Sequence, residues 1–89
     1  MFVNVGFGNL VNADSIVSLG VFGGAPSRRL CQEAADKGML VDLTEGRKTR
    51  AVIQMDSGYV IKSANEVDTI GRKLDKKLRS VEDVEGRKD

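Results

Sequence analysis

Apolar and polar positions in this chain fall into short blocks separated by glycine-, asparagine- and aspartate-rich breaks. No long stretch of uniform character is present. Phe2-Val3-Asn4-Val5 predicts a first short strand, and Gly6-Phe7-Gly8-Asn9 follows as a turn whose residues tolerate positive φ. Leu10-Val11 continues extended until Asn12-Ala13-Asp14 breaks the chain, and Ser15 to Phe22, loosely alternating and β-branched, predicts the second strand. After Gly23-Gly24-Ala25-Pro26, Ser27 stands where a helix N-cap belongs. The helix expected over Arg28–Lys37 sets Leu30 with Ala34 and Cys31 with Ala35 on one face, and Gly38 suits the left-handed residue that closes it. Met39–Leu43, Arg47–Met55 and Tyr59–Lys62 read as strands three to five. The short turns at Thr44–Gly46 and Asp56–Gly58 make them an antiparallel meander. Ser63-Ala64-Asn65-Glu66 fits a capping box for a second helix from about Asn65 to Arg79. Its apolar stripe is Val67, Ile70, Leu74 and Leu78, with Val81 as an extension. The expectation is an α+β fold, a mostly antiparallel sheet with two helices. Residues 1–80 are expected to form one domain, with 81–89 as a charged, flexible tail.

Length sharpens this picture. A domain of 89 residues buries only about 60–65% of its unfolded surface, so its own core stabilises it weakly. Chains this small lean on disulfides, metals or oligomerisation. Cys31 is the only cysteine, which excludes an intrachain disulfide, and with no histidine the usual zinc ligands are missing. No EF-hand-like spacing of Asp and Glu appears either. Self-association is what remains. The N-terminus has no basic leader and the chain has no apolar run approaching the roughly 18 residues of a membrane span. A cytoplasmic home, without membrane association, is therefore expected.

With 14 basic against 13 acidic residues the net charge is +1. This argues against a generic polycation and moves attention to local clustering. Arg47, Lys48 and Arg50 surround Thr49 directly after Gly46. At the start of a strand, Lys48 and Arg50 would share one face and Arg47 and Thr49 the other. Such a group suits phosphate oxygens, to which a guanidinium donates two parallel hydrogen bonds. It equally suits a solvated basic edge that discourages edge-to-edge pairing. Arg28 and Arg29 stand at the first helix N-terminus, where their charge opposes the helix dipole. Either an anion binds there, or the arginines reach Glu33 or Asp36. The second helix carries Arg72, Lys73, Lys76, Lys77 and Arg79, interrupted by Asp68 and Asp75, and reads mainly as a solvated face.

Enzymatic chemistry finds no support. Gly6-Phe7-Gly8 lacks the third glycine of a dinucleotide loop, since position 11 is Val11, so no nucleotide cofactor is expected. A tight turn, or a backbone contact between subunits, accounts for it better. Cys31 has no histidine to activate it and sits on an apolar helix face, as a structural cysteine would. Asp42, Glu45 and Asp56 show no spacing that singles out an acid–base pair. With one Tyr and three Phe the chain has few stacking platforms for single-stranded RNA.

These pieces together resemble the RemA family, regulators of extracellular-matrix genes in biofilm-forming bacteria. The resemblance rests on Asn4-Val5-Gly6-Phe7-Gly8-Asn9, on Ala25-Pro26 followed by Arg29, and on Lys37-Gly38-Met39-Leu40-Val41-Asp42. It continues through Gly46-Arg47-Lys48-Thr49-Arg50-Ala51-Val52, Met55-Asp56-Ser57, Val60-Ile61 and Ser63-Ala64, and covers roughly residues 3 to 75. It implies a non-enzymatic transcriptional activator that forms a closed homo-oligomeric ring, with an octamer expected, and a sheet topology similar to LytTR-type DNA-binding domains. It also implies that double-stranded DNA runs along the outside of the ring against basic residues repeated on each subunit. The residues carried over to that contact are Arg47, Lys48 and Arg50, with Arg28 and Arg29 where the family also tends to be basic. The chain departs from the family pattern at Ser15, where an arginine commonly follows the GFGN turn. One basic contact implied by the family is therefore absent. The alternative is an assembly ring with a basic surface that binds protein and not DNA.

Overall fold

The computed structural model describes residues 1–84, with side chains as far as Asp75. β1 (Phe2–Asn4) and β2 (Leu10–Asn12) form an antiparallel hairpin with Val3 opposite Val11. Its turn runs through Gly6 (φ 114°), Phe7 (φ 55°) and Gly8 (φ 77°). It is closed by the Val5 N–H on the Asn9 carbonyl (2.9 Å) and the Gly6 N–H on Asn4 Oδ1 (2.7 Å). A left-handed conformation at a phenylalanine is uncommon, and here it sits between two glycines that take such values freely. One turn of 3-10 helix (Ala13–Ser15), capped by the Asn12 side chain on the Asp14 N–H, leads into β3 (Ile16–Val21).

The main sheet has four strands in the order β3-β5-β6-β4, where β4 is Leu40–Asp42, β5 Ala51–Met55 and β6 Val60–Ser63. β5 pairs antiparallel with β3 and β6, whereas β4 runs parallel to β6. Strands three to five thus do not form the expected meander. The reason lies in residues 43–50. Thr44–Gly46 is a turn, but the chain leaves it without pairing to β4, and the strand expected from Arg47 begins only at Ala51. β6 then enters the place beside β4. An alternating pattern shows that a segment is extended, and does not specify its neighbour.

Each sheet face carries its own cluster. Ala51, Ile53 and Ile61 point toward the β1–β2 hairpin and α2 (Val67–Val84), packing with Val3, Val5, Val11 and Ile70. Val52 and Val60 point the other way, onto Cys31 and Ala34 of α1 (Ala25–Asp36), with Phe22, Leu30 and Leu40 alongside. Consecutive burial of Ala51-Val52-Ile53 marks a strand covered on both faces. The Ser63 hydroxyl donates to the Val5 carbonyl (2.6 Å), tying the hairpin to β6 across the layer boundary.

Helix starts differ from the sequence reading. α1 begins at Ala25 with Gly24 as N-cap and Pro26 in its first turn, where a missing N–H costs nothing. Ser27 is therefore inside the helix. Its hydroxyl accepts from the Gly23 N–H and donates to the Gly24 carbonyl. Ala35, expected beside Cys31 on the apolar face, is exposed. Gly38 does take the left-handed conformation (φ 71°) after the helix. The capping box does not form. Ser63 belongs to β6, its hydroxyl accepts from the Asn65 N–H, and α2 starts at Val67. Val67, Ile70 and Leu74 supply its apolar stripe as expected. The side chains of Leu78 and Val81, and residues 85–89 of the tail, lie outside the described residues. Among the described residues no helix is long and apolar enough to cross a membrane.

Candidate nucleic-acid interface

The loop between β4 and β5 is built on Thr44. Its side chain is buried, its hydroxyl donates to Asp42 Oδ1 at 2.6 Å, and its N–H donates to the same oxygen at 2.9 Å. These bonds hold the Asp42 carboxyl below its ordinary value, with partial burial opposing them and Lys62 (3.9 Å) adding a little. The Asp42 carboxylate that accepts both bonds thereby fixes Thr44. The Thr44 carbonyl in turn accepts the Arg47 N–H at 3.0 Å, after left-handed turns at Glu45 (φ 53°) and Gly46 (φ 81°). At the far end, the Arg50 N–H donates to the Ser63 carbonyl and the Phe22 N–H donates to the Arg50 carbonyl, which anchors the loop to two strands.

Between these anchors Arg47, Lys48 and Arg50 line one open groove of about 430 Å³ together with Phe7, Ala64 and Asn65. The Arg47 guanidinium lies over the Phe7 ring, 5.8 Å from its centroid. Arg50 Nη1 pairs with Glu66 Oε2 at 2.9 Å, both side chains well exposed. An exposed pair of this kind is worth at most about 1 kcal/mol. Arg47 and Lys48 have no carboxylate partner among the described residues. The groove thus presents two uncompensated cations and a third held at its rim. Because Arg47–Arg50 is not part of a strand, the expected alternation of faces is replaced by convergence on one groove.

Arg28 and Arg29 do not join this groove. Both are on the first turns of α1, and among the described residues neither pairs with Glu33 or Asp36. Arg28 lies over the Phe22 ring (5.9 Å), which Lys62 also approaches from 6.0 Å. Burial raises the pKa of the Cys31 thiol, with Lys62 offsetting this in part. That keeps it protonated and a poor nucleophile. Among the described residues no group of three or more metal-ligating side chains comes together.

Three contributors to the groove escape the sequence reading. Phe7 reads there only as a turn residue, although an aromatic between two glycines is a usable signal for an exposed, fixed ring. Asn65 reads only as the first residue of the second helix. Its side chain instead packs against Gly6, where an added Cβ would meet Asn65 Oδ1 at 3.0 Å. Glu66 lies sixteen residues from Arg50, and no local pattern couples them.

The family model for RemA-like proteins, described as extracellular matrix regulatory protein A-like, matches residues 2–74. A regulatory protein of Carboxydothermus hydrogenoformans is 51% identical over 76 residues, covering 85% of this chain and 87% of that one. One from Oleidesulfovibrio alaskensis is 54% identical over 72 residues, covering 81% and 86%. Extracellular matrix regulatory protein A of Bacillus subtilis is 40% identical over 84 residues, covering 94% of each chain. The matched span contains the hairpin turn, the β4–β5 loop and every cation of the groove, and by this match the chain belongs to the RemA-like family.

Proposed function

We propose that this protein is a DNA-binding transcriptional regulator, an activator of extracellular-matrix and biofilm genes, that acts as a homo-oligomeric ring. The observation that carries the reading is the groove in which Arg47, Lys48 and Arg50 converge, with Arg47 and Lys48 free of carboxylate partners among the described residues. The relatives' names speak for a regulatory role and not for catalysis. One subunit offers two to four phosphate contacts, too few for tight binding. A ring, an octamer by the family resemblance, repeats them along one duplex and raises avidity without new contacts. Arg28 and Arg29 would supply secondary contacts outside the groove. The protein works in the cytoplasm, on the nucleoid. In this reading the four-stranded sheet is a LytTR-like scaffold for the loop, and the groove selects DNA by its deformability more than by base edges.

Binding to a long double-stranded DNA across a salt series, with the mass in solution measured alongside, tests this. Log affinity should fall linearly with log salt, at a slope near −0.9 for each phosphate neutralised, for a ring-sized species. A ring indifferent to DNA at low salt would replace this reading with a protein-binding assembly. Phe7→Ala removes the ring beneath Arg47. A cation–π contact at an exposed site is worth about 0.5–1 kcal/mol. DNA affinity should therefore drop about two- to fivefold, with Phe7→Trp retaining it.

A further inference from the structure

We infer that the subunits of the assembly meet head to tail through the N-terminal quarter of the chain, the edge of β3 in one copy seating against the β1–β2 hairpin of the next. The inference rests on the ring proposed above and names the surfaces that close it.

Charge is the first observation. Among residues 1–27 the only charged side chain is Asp14, while all 14 Lys and Arg residues lie at position 28 or beyond. Exposed apolar side chains are segregated in the opposite sense. Met1, Phe2, Phe7, Leu10, Val17 and Val21 are exposed, and Tyr59 is the single large apolar residue exposed elsewhere among the described residues. Phe7 apart, the cationic groove and this neutral apolar surface are built from different parts of the chain. A neutral apolar surface repels neither copy of itself, and it offers nothing to phosphate.

The second observation is an open sheet edge. β3 is an outer strand of the four-stranded sheet, and its six residues carry no charge and no proline. Edge strands left to face solvent are usually shortened, charged or interrupted by proline. β4, at the other edge, fits that description, with three residues including Asp42. β3 does not. Phe22 donates to Arg50 and Gly20 faces Val52, so the N–H and C=O groups of Leu19 and Val21 point away from β5. Val17 and Val21 are 66% and 72% exposed along that edge.

The counter-surface is the hairpin. Its inward residues Val3 and Val11 are buried, and its outward residues include Phe2 and Leu10, 64% and 62% exposed. Among the described strands β1 and β2 pair only with each other. Lys73 Nζ occupies the outward Asn4 carbonyl of β1 at 2.9 Å, so it is β2 whose edge offers backbone groups to a strand laid beside it. A closed ring with one kind of interface needs two different, complementary patches on each subunit. The β3 edge and the hairpin are two such patches, both apolar, with open backbone along β3 and along the β2 side of the hairpin, away from the Asn4 carbonyl that Lys73 occupies.

Two blocked variants test this by mixing. Val17→Lys/Val21→Lys closes the strand edge, and Phe2→Lys/Leu10→Lys closes the hairpin. All four positions are exposed, and circular dichroism with a thermal melt establishes that each variant folds. Should either double variant misfold, Val21→Lys or Leu10→Lys alone takes its place. With wild type forming rings, each variant alone should be monomeric by native mass spectrometry. An equimolar mixture should give 1:1 pairs and nothing larger, because only one open edge and one open hairpin remain between them. Rings persisting in either variant, or a mixture that stays monomeric, would overturn the inference. Dimers of the hairpin-blocked variant alone would overturn it too, by showing that two β3 edges pair with each other. A monomeric wild type would sink the ring itself, whereas assembling wild type with unaffected variants sinks only this choice of surfaces.

Discussion

Reversing the charge at Arg47 and Lys48 (R47E/K48E) is expected to lower affinity for double-stranded DNA by a factor on the order of 100 or more, without changing the assembly or the fold. These two cations are exposed, lack carboxylate partners among the described residues, and stand on a loop whose backbone is anchored independently of their side chains. Each phosphate interaction is worth about 1 kcal/mol or more near a surface. Removing two of them per engaged subunit, and adding two repulsive carboxylates, gives that size of effect. The salt slope should flatten by about 0.9 for every phosphate that is no longer neutralised. Gel retardation at several salt concentrations and the mass of the variant in solution check both parts. Retained binding with an unchanged slope would remove the groove from the DNA interface. Arg50 is the poorer choice for this test. Its guanidinium pairs with Glu66, and a carboxylate there would face another carboxylate at the start of α2. An Arg50 variant would therefore confound DNA affinity with helix docking.

The second large effect is expected at Ile53. This side chain is fully buried at the centre of β5, between the strands on either side and beneath the hairpin and α2. Ile53→Ala should cost about 2–5 kcal/mol, the transfer energy of the deleted atoms plus a cavity the surrounding side chains cannot close. Domains of this kind have only about 5–15 kcal/mol in total. At several degrees per kcal/mol for a domain this small, the thermal midpoint should fall by roughly 10–30 °C. The assembly should dissociate with it, since folding and association are linked. A melt followed by circular dichroism reads the outcome. A midpoint that barely moves would mean that the hydrophobic layer around Ile53 is not the principal core.

Both predictions draw on features legible in the sequence to different degrees. The strand at Ala51–Met55 stands out as a run of β-branched and apolar residues, and the cations before it stand out as a cluster. What they do together is not legible. Period-two alternation places Arg47 and Thr49 opposite Lys48 and Arg50. The chain instead turns at Glu45 and Gly46 and reaches its strand only at Ala51, so the cations converge. The turn is driven by Asp42 and Thr44, a short-range hydrogen-bonded pair of residue types too common to mark it in advance. The two sides of the groove come from the β1–β2 turn and from the segment before α2, which no spacing in the sequence brings near Arg47.

Helix boundaries show the same division. Pro26 and Gly38 bracket α1 for local reasons, φ preference at one end and left-handed freedom at the other. The Gly38 end is read correctly from the sequence, whereas Ser27, a better N-cap by residue type than Gly24, draws the expected start past Pro26. Ser63 has the residue type for a capping box, but it is the last residue of β6 and the helix starts only at Val67. Its hydroxyl donates to the Val5 carbonyl fifty-eight residues away and accepts from the Asn65 N–H, so it joins the hairpin to the sheet and closes a local turn instead of capping a helix.

By itself, then, the sequence determined the class of fold, the approximate position of both helices and of five strands, the absence of an intrachain disulfide, and the basic cluster at Arg47–Arg50, but not that Leu10–Asn12 is a strand paired with β1 in a sheet of its own. What it determined follows from local φ preference, apolar periodicity and composition, which act within a few residues. Only the tertiary structure decided that β4 lies parallel to β6, that Phe7 comes under Arg47, that Arg50 is held by Glu66, and that β3 is left as an open edge. Most of these join residues far apart in the chain, and their pairing is set by how two hydrophobic faces of one sheet are covered, a balance of burial over the whole domain that no local pattern encodes.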